Sequence, residues 1–186
     1  GYSSVDVERV FASWCARRLL REEPQFCRGR KFLFHCAGYT SMSDIAAEEG
    51  ARISGLDPWV LWRQPLRLSG ELPLKLFYAG LRKTQRTRGI VTLEPGTKGW
   101  AHHLNYPLMA NWIRKADVFV SNYALLHTLP GFSMFRGKTL MIDYVTPEMR
   151  QHLELSGIER IIEWYPRISA AESLVPSFAV LKALVD

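Results

Sequence analysis

Three titratable side chains are the first candidates for chemistry in this sequence. Asp143 lies inside an otherwise apolar run, and a carboxylate is costly to bury unless it is paired or used. It could hold a ribose hydroxyl, a base edge or a proton, or it could pair with a nearby Arg or Lys. His102 and His103 could supply an acid–base group near neutral pH, but adjacent histidines lack the spacing of a metal-binding pair. We therefore predict Asp143, His102 and His103 as catalytic candidates, and we predict no metal site.

A small, polar segment at residues 38–44 follows the first predicted strand and could bind a phosphate group. Its glycine and hydroxyls could present hydrogen-bond donors to an anion at the start of a helix. The candidate ligand-binding residues here are Gly38, Thr40 and Ser41. The alternative interpretation is local, with Ser41 capping the helix and Asp44 completing a capping box.

A second glycine-containing segment, residues 94–99, could also bind phosphate. Two glycines around Thr-Lys can form a concave set of backbone donors beside a positive charge, so the candidates are Gly96, Thr97 and Lys98. The alternative is a glycine turn with a solvated lysine. Neither segment matches GxxxxGK[ST] or GxGxxG, so the sequence assigns no cofactor.

Ser121 and Asn122 end a third apolar run and complete the predicted ligand-binding set. The motif GxSxG is missing, so the serine is not predicted to be a hydrolase nucleophile. The alternative role for this pair is to cap the helix that follows.

A basic run at residues 82–88 is the candidate for contact with nucleic acid. It carries Arg82, Lys83, Arg86 and Arg88, and such a run is also typical of a solvated helix end. The run lacks the interleaved aromatic residues that stack on single-stranded bases. Four charges alone predict weak, salt-dependent binding without sequence preference.

Strands and helices alternate about five times along the chain, and this order positions the candidates. Short apolar runs predict strands at 31–37, 90–93, 117–120, 139–145 and 158–164. Helical spacing predicts helices at about 3–21, 45–53, 74–81, 107–115, 146–157 and 169–185. This alternation predicts one α/β domain over residues 1–186, with a Rossmann-like three-layer fold, a mostly parallel sheet and helices on both faces. Ligands bind such sheets at the C-terminal ends of the strands.

The Pro- and Trp-rich segment 57–73 is predicted to be an irregular insertion or a lid, with a weak strand candidate at 59–64. Trp59, Trp62 and Trp100 are expected in loops. Exposed tryptophans there would suit a protein partner or a homo-oligomer, and the alternative is packing over the edge of the sheet.

Composition limits the class of protein. The chain has 186 residues, of which 47% are hydrophobic and 23% charged. These values exclude a disordered or fibrous chain, and no apolar run is long enough to span a membrane. The net charge of +6 favours anionic partners. Three cysteines without a CxxC pair fit a reducing compartment, so we expect a cytoplasmic protein. The chain starts at Gly1 and not at Met. This start would fit a piece of a longer protein.

Two functions are compatible with these patterns. The first is binding of a small anionic ligand, a nucleotide or a sugar phosphate, at the C-terminal ends of the strands. If such a protein is an enzyme, the missing redox-cofactor motifs favour a transferase or a hydrolase. The alternative is a non-enzymatic module that binds a protein partner or nucleic acid through a basic, Trp-bearing surface.

Overall fold

The computed structural model describes residues 4–37, 41–62, 64–88, 100–126, 129 and 131–165. Within these ranges, the helices are α1 (Ser4–Glu22), α2 (Met42–Glu48), α3 (Asp57–Trp62), α4 (Glu71–Arg88), α5 (Trp100–Lys115), α6 (Tyr123–Leu126) and α7 (Pro147–Leu155). The strands are β1 (Lys31–Phe34), β2 (Arg52–Gly55), β3 (Leu68–Ser69), β4 (Val118–Ser121), β5 (Thr139–Ile142) and β6 (Arg160–Glu163). The predicted strand 90–93, the segment 94–99 and the predicted C-terminal helix lie outside the described residues.

The strands form one mixed sheet in the order β3-β2-β1-β4-β5-β6. Five of these strands are parallel, and the two-residue β3 pairs antiparallel with β2 at one edge. The prediction of an α/β fold with a mostly parallel sheet is therefore confirmed. The strand order reverses between β1 and β4, because β2 and β3 are added on one side of this point and β5 and β6 on the other.

Successive side chains of β1 enter two different hydrophobic clusters, because neighbouring residues in a strand point to opposite faces of the sheet. Phe32 and Phe34 are buried with residues of α1 and α2. Leu33, between them, is buried with residues of α5 and α7. Both faces of β1 are thus covered by helical residues, which explains why this strand reads as a nearly continuous apolar run.

The region after α2 differs from the sequence prediction. A helix is present where 45–53 was predicted, but its predicted end is wrong, because α2 ends at Glu48 and residues 52–55 form β2. Gly50 adopts a positive φ of 81°, a conformation that glycine accepts without strain and that ends the helix. The predicted strand at 59–64 is also wrong, since this region contains α3.

The tryptophans expected in loops lie on helices instead. Trp59 and Trp62 belong to α3, and Trp100 begins α5. Trp59 is buried and Trp62 is half exposed. The segment 57–73, predicted to be irregular, contains α3, β3 and the start of α4.

Helix α7 begins as its sequence predicts. The hydroxyl of Thr146 accepts a hydrogen bond from the Met149 N–H at 3.2 Å, and Pro147 occupies the first turn. Threonine and proline are both favourable at these positions, because the first N–H groups of a helix have no partner within it. Throughout the described part of the chain, no helix has the length and apolar character that are needed to cross a membrane.

Gly55, the last residue of β2, leaves no space for a side chain. A Cβ atom here would come within 2.7 Å of the Leu74 Cδ2 atom and would overlap the Asp57 carboxylate. Overpacking of this kind costs about 1–3 kcal/mol. We expect Gly55→Ala to lower the free energy of unfolding by that amount, as measured by urea denaturation.

The matched control for this variant is Gly80→Ala in α4. A Cβ atom at Gly80 meets nothing within 4 Å, and alanine favours a helix more than glycine does. Its free energy of unfolding should be unchanged or higher. Equal losses in the two variants would contradict the close packing at Gly55.

Candidate functional site

Five strands, β1, β2, β4, β5 and β6, are parallel, so their C-terminal ends lie along the same side of the sheet. We call this side the C-terminal edge. In open α/β sheets, a crevice forms at this edge where the strand order reverses. The reversal in this molecule lies between β1 and β4. The residues that follow these two strands therefore form the candidate site.

A buried histidine–serine pair joins β1 to β4 at the reversal. The Nδ1 atom of His35 lies 3.0 Å from the Oγ atom of Ser121, and both residues are almost fully buried. The Ser121 hydroxyl donates to the Asn122 carbonyl oxygen at 3.2 Å. With its proton in that bond, the hydroxyl can accept a second hydrogen bond from the Nδ1–H tautomer of His35. Burial lowers the pKa of His35 to about 3, so its imidazole is neutral near pH 7.

Asp57 holds the segment that follows β1. Its Oδ1 atom accepts hydrogen bonds from the Ala37 N–H at 2.8 Å and from the Tyr78 hydroxyl. The residue is completely buried. The sequence analysis did not identify Asp57, and the signal that could have found it was an acidic residue followed by proline at the start of a helix, two positions after a strand.

Asp143 holds the segment that follows β4 in a similar way. Its Oδ1 atom accepts hydrogen bonds from the Tyr123 N–H at 2.6 Å and from the Tyr144 N–H at 2.9 Å. The residue is buried, so these backbone partners compensate its carboxylate for part of the lost hydration. Its catalytic role stays a prediction. Its hydrogen bonds position the backbone of Tyr123 and Tyr144.

Glu163, at the end of β6, repeats the arrangement one strand further out. It accepts a hydrogen bond from the Val145 N–H at 3.2 Å and forms an ion pair with Arg150. Each of the three acidic residues thus binds the backbone that follows a neighbouring strand. The two segments that flank the reversal are each held by a buried carboxylate, which gives this edge a defined backbone shape.

The remaining ligand-binding candidates in the described residues have partners within the chain. Ser41 stands at the N-cap position of α2, but its side chain makes no capping hydrogen bond. Its hydroxyl contacts the Ser13 hydroxyl of α1 instead, so the capping interpretation is wrong for this residue. The Asn122 Oδ1 atom accepts from the Leu125 N–H at 2.8 Å, which is the capping role that was its alternative.

For several predicted residues the structure does not describe the side chain. Gly38, Thr40, Gly96, Thr97 and Lys98 lie outside the described residues. His102 and His103 lie on α5, and Arg82, Lys83, Arg86 and Arg88 lie on α4. The side chains of these six residues are outside the described part of the structure.

A cysteine follows the histidine of the buried histidine–serine pair in the sequence. Cys36, directly after His35, is buried, and its Sγ atom lies 3.8 Å from the Tyr78 hydroxyl oxygen. Within the described ranges, no group of three or more His, Cys, Asp or Glu side chains could hold a metal ion. The candidate site contains, in its described part, backbone, hydroxyl, phenol and carboxylate groups and one neutral imidazole.

The chain belongs to the family described as a domain of unknown function, DUF8754, whose model matches residues 6–185. No curated protein and no solved structure shows a significant match to the chain.

Proposed function

We propose that this member of the family binds a small anionic ligand, a nucleotide or a sugar phosphate, in a crevice at the C-terminal ends of β1 and β4. One observation carries the proposal: buried carboxylates hold the backbone on both sides of the strand reversal, Asp57 on one side and Asp143 on the other. Residues held in place before binding lose less conformational entropy when a ligand arrives. The proposal includes a Rossmann-like three-layer arrangement, in which such a crevice is the usual ligand site.

Charge supports an anionic ligand. The chain carries a net charge of +6, which attracts anions over a distance of about a Debye length. The carboxylates of Asp57 and Asp143 accept hydrogen bonds from backbone N–H groups, and this reduces their repulsion of a bound anion. Lys98 and the hydroxyls of Thr40 and Thr97 are the groups that we propose for the phosphate.

If the protein is an enzyme, we propose group transfer or hydrolysis, with His102, His103 and Asp143 as the residues to test for proton transfer. We also propose a reducing compartment, such as the cytoplasm. Cys15, Cys27 and Cys36 are all buried as free thiols, and such thiols persist where disulfides do not form.

A thermal-unfolding screen tests this proposal. The probes are nucleoside phosphates, ribose 5-phosphate and inorganic phosphate, each in low and high salt. A ligand at a hundredfold excess over its Kd stabilises the folded state by about 2.7 kcal/mol. For a domain of this size that corresponds to a rise in Tm of about 5–10 °C. We expect such a rise with one class of small phosphate compound, and we expect it to survive high salt.

The variant Lys98→Ala links the rise to the proposed site. It should reduce the rise in Tm, whereas Lys115→Ala, which removes an exposed lysine at the end of α5, should not. The absence of any rise in the wild-type protein, or equal rises in both variants, would contradict the proposal.

A second candidate function is favoured by exposed apolar side chains beside the basic helix α4. Trp62 is 50% exposed, and its ring lies 4.7 Å from the Phe77 ring of α4. Leu72 and Leu76, on the same helix, are both more than half exposed. Such residues are enriched in contacts with protein partners. This alternative is tested by size-exclusion chromatography and by retention on polyphosphate in low and high salt. A monomeric protein that is not retained on polyphosphate would contradict it.

A further inference from the structure

We propose that Tyr144, stacked on Tyr123, is a platform for the base of a nucleotide, so that the ligand is a nucleotide and not a sugar phosphate. This inference rests on the proposed function, because it names the ligand class of the same crevice. The two tyrosines follow β4 and β5 at the C-terminal edge of the sheet. They therefore lie on the β4 side of the strand reversal.

The backbone of both tyrosines is fixed by one carboxylate. The Oδ1 atom of Asp143 accepts from the N–H groups of Tyr123 and Tyr144. The two rings are stacked, with centroids 4.6 Å apart and planes inclined by 24°. Each side chain is partly buried. A ring held in this way loses little freedom when a second planar group stacks on it.

The order of the stack indicates which ring faces outward. Tyr123 packs against the hydrophobic cluster that contains Phe119 and Leu140. Tyr144 is not among the described residues that pack against this cluster, and its stacking partner is Tyr123. The outer ring is therefore Tyr144, and its remaining face is the one that we assign to a base.

The chemistry of this face fits a nucleobase. Stacking on an aromatic side chain accepts any base, because every base has a π face. Burial, assisted by the negative charge of Asp143, raises the pKa of Tyr144. The phenol is therefore protonated near pH 7 and keeps a donor for an acceptor atom of the base.

Binding of AMP, UMP and ribose 5-phosphate, measured by titration calorimetry on the wild-type protein, tests the inference. Loss of base stacking weakens nucleic-acid binding by about 1–3 kcal/mol per base, which corresponds to about fivefold to more than a hundredfold in Kd. We expect AMP or UMP to bind at least about tenfold more tightly than ribose 5-phosphate.

Two variants assign the difference to Tyr144. Tyr144→Leu should weaken nucleotide binding about tenfold and leave the affinity for ribose 5-phosphate unchanged. Tyr144→Phe keeps the ring and should keep most of the nucleotide affinity. If Tyr144→Leu does not fold, saturation-transfer NMR on the wild-type protein replaces it, and we expect stronger transfer to base protons than to ribose protons.

The outcomes separate the two proposals. Equal affinity for nucleotides and ribose 5-phosphate, or stronger transfer to ribose than to base, would overturn the inference and leave the proposed function standing. Nucleotide affinity that is unchanged in Tyr144→Leu would also overturn it. Binding of none of the three probes would overturn the proposed function and this inference with it.

Discussion

Acidification from pH 6.5 to pH 4.5 is expected to remove about 2 kcal/mol of folding stability through His35 alone. Burial lowers the pKa of its imidazole from 6.5 to about 3. Between these two values, the unfolded chain binds a proton that the folded chain does not bind. The free energy of unfolding therefore falls as the pH is lowered, with a slope that approaches about 1.4 kcal/mol per pH unit. Urea denaturation at a series of pH values measures this slope.

The contribution of His35 is isolated by a pair of substitutions. His35→Gln removes the titrating group and should flatten the slope over this range, whatever its effect on stability at pH 7. His152→Gln removes an exposed histidine on α7 and should keep the wild-type slope. A slope that is unchanged in His35→Gln would show that the buried imidazole is not the group that titrates.

The variant Asp57→Ala is expected to lower the free energy of unfolding by about 3–5 kcal/mol. A hydrogen bond to a charged group contributes about 1.5–3 kcal/mol, and a buried donor that is left without a partner adds a further cost. The substitution removes the acceptor of both the Ala37 N–H and the Tyr78 hydroxyl. In a domain of this size, the corresponding fall in Tm is about 10 °C, which thermal unfolding by circular dichroism measures.

Two further variants test whether this loss comes from the hydrogen bonds. Asp57→Asn keeps an acceptor oxygen at the same position and should lose less stability than Asp57→Ala. Asp44→Ala removes an exposed carboxylate from the first turn of α2 and should cost less than about 1 kcal/mol. Similar losses in Asp57→Ala and Asp44→Ala would contradict the role assigned to Asp57.

Three strands of the sheet, β1, β4 and β5, could be predicted from the sequence because they are buried almost entirely on both faces. The runs that contain β1, β4 and β5 are almost entirely apolar, and each was predicted within a few residues. The strand β2 was missed because its sequence, RISG, contains a single large apolar residue, Ile53. The order of the strands is a tertiary property, set by which strands pair with β1, and no local pattern encodes it.

The candidate site was predicted less completely, and for a related reason. Asp143 was identified because it stands in an otherwise apolar run of sequence, whereas Asp57 was hidden once β2 had been read as a helix. His35 looked like part of the strand itself, and its partner Ser121 lies 86 residues away. A hydrogen bond over that distance becomes visible only when the pairing of β1 with β4 is known.

The same pairing bears on how the protein reaches its native state. β1 pairs with β2, and β4 with β5, through neighbouring parts of the chain. Pairing of β1 with β4 closes a much longer loop, and the entropy cost of closure rises with loop length. Contacts of this kind slow folding, so we expect two half-sheets to form first and to dock late. The crevice then lies between two folding units, and a ligand bound to both would slow their separation and extend the lifetime of the folded protein.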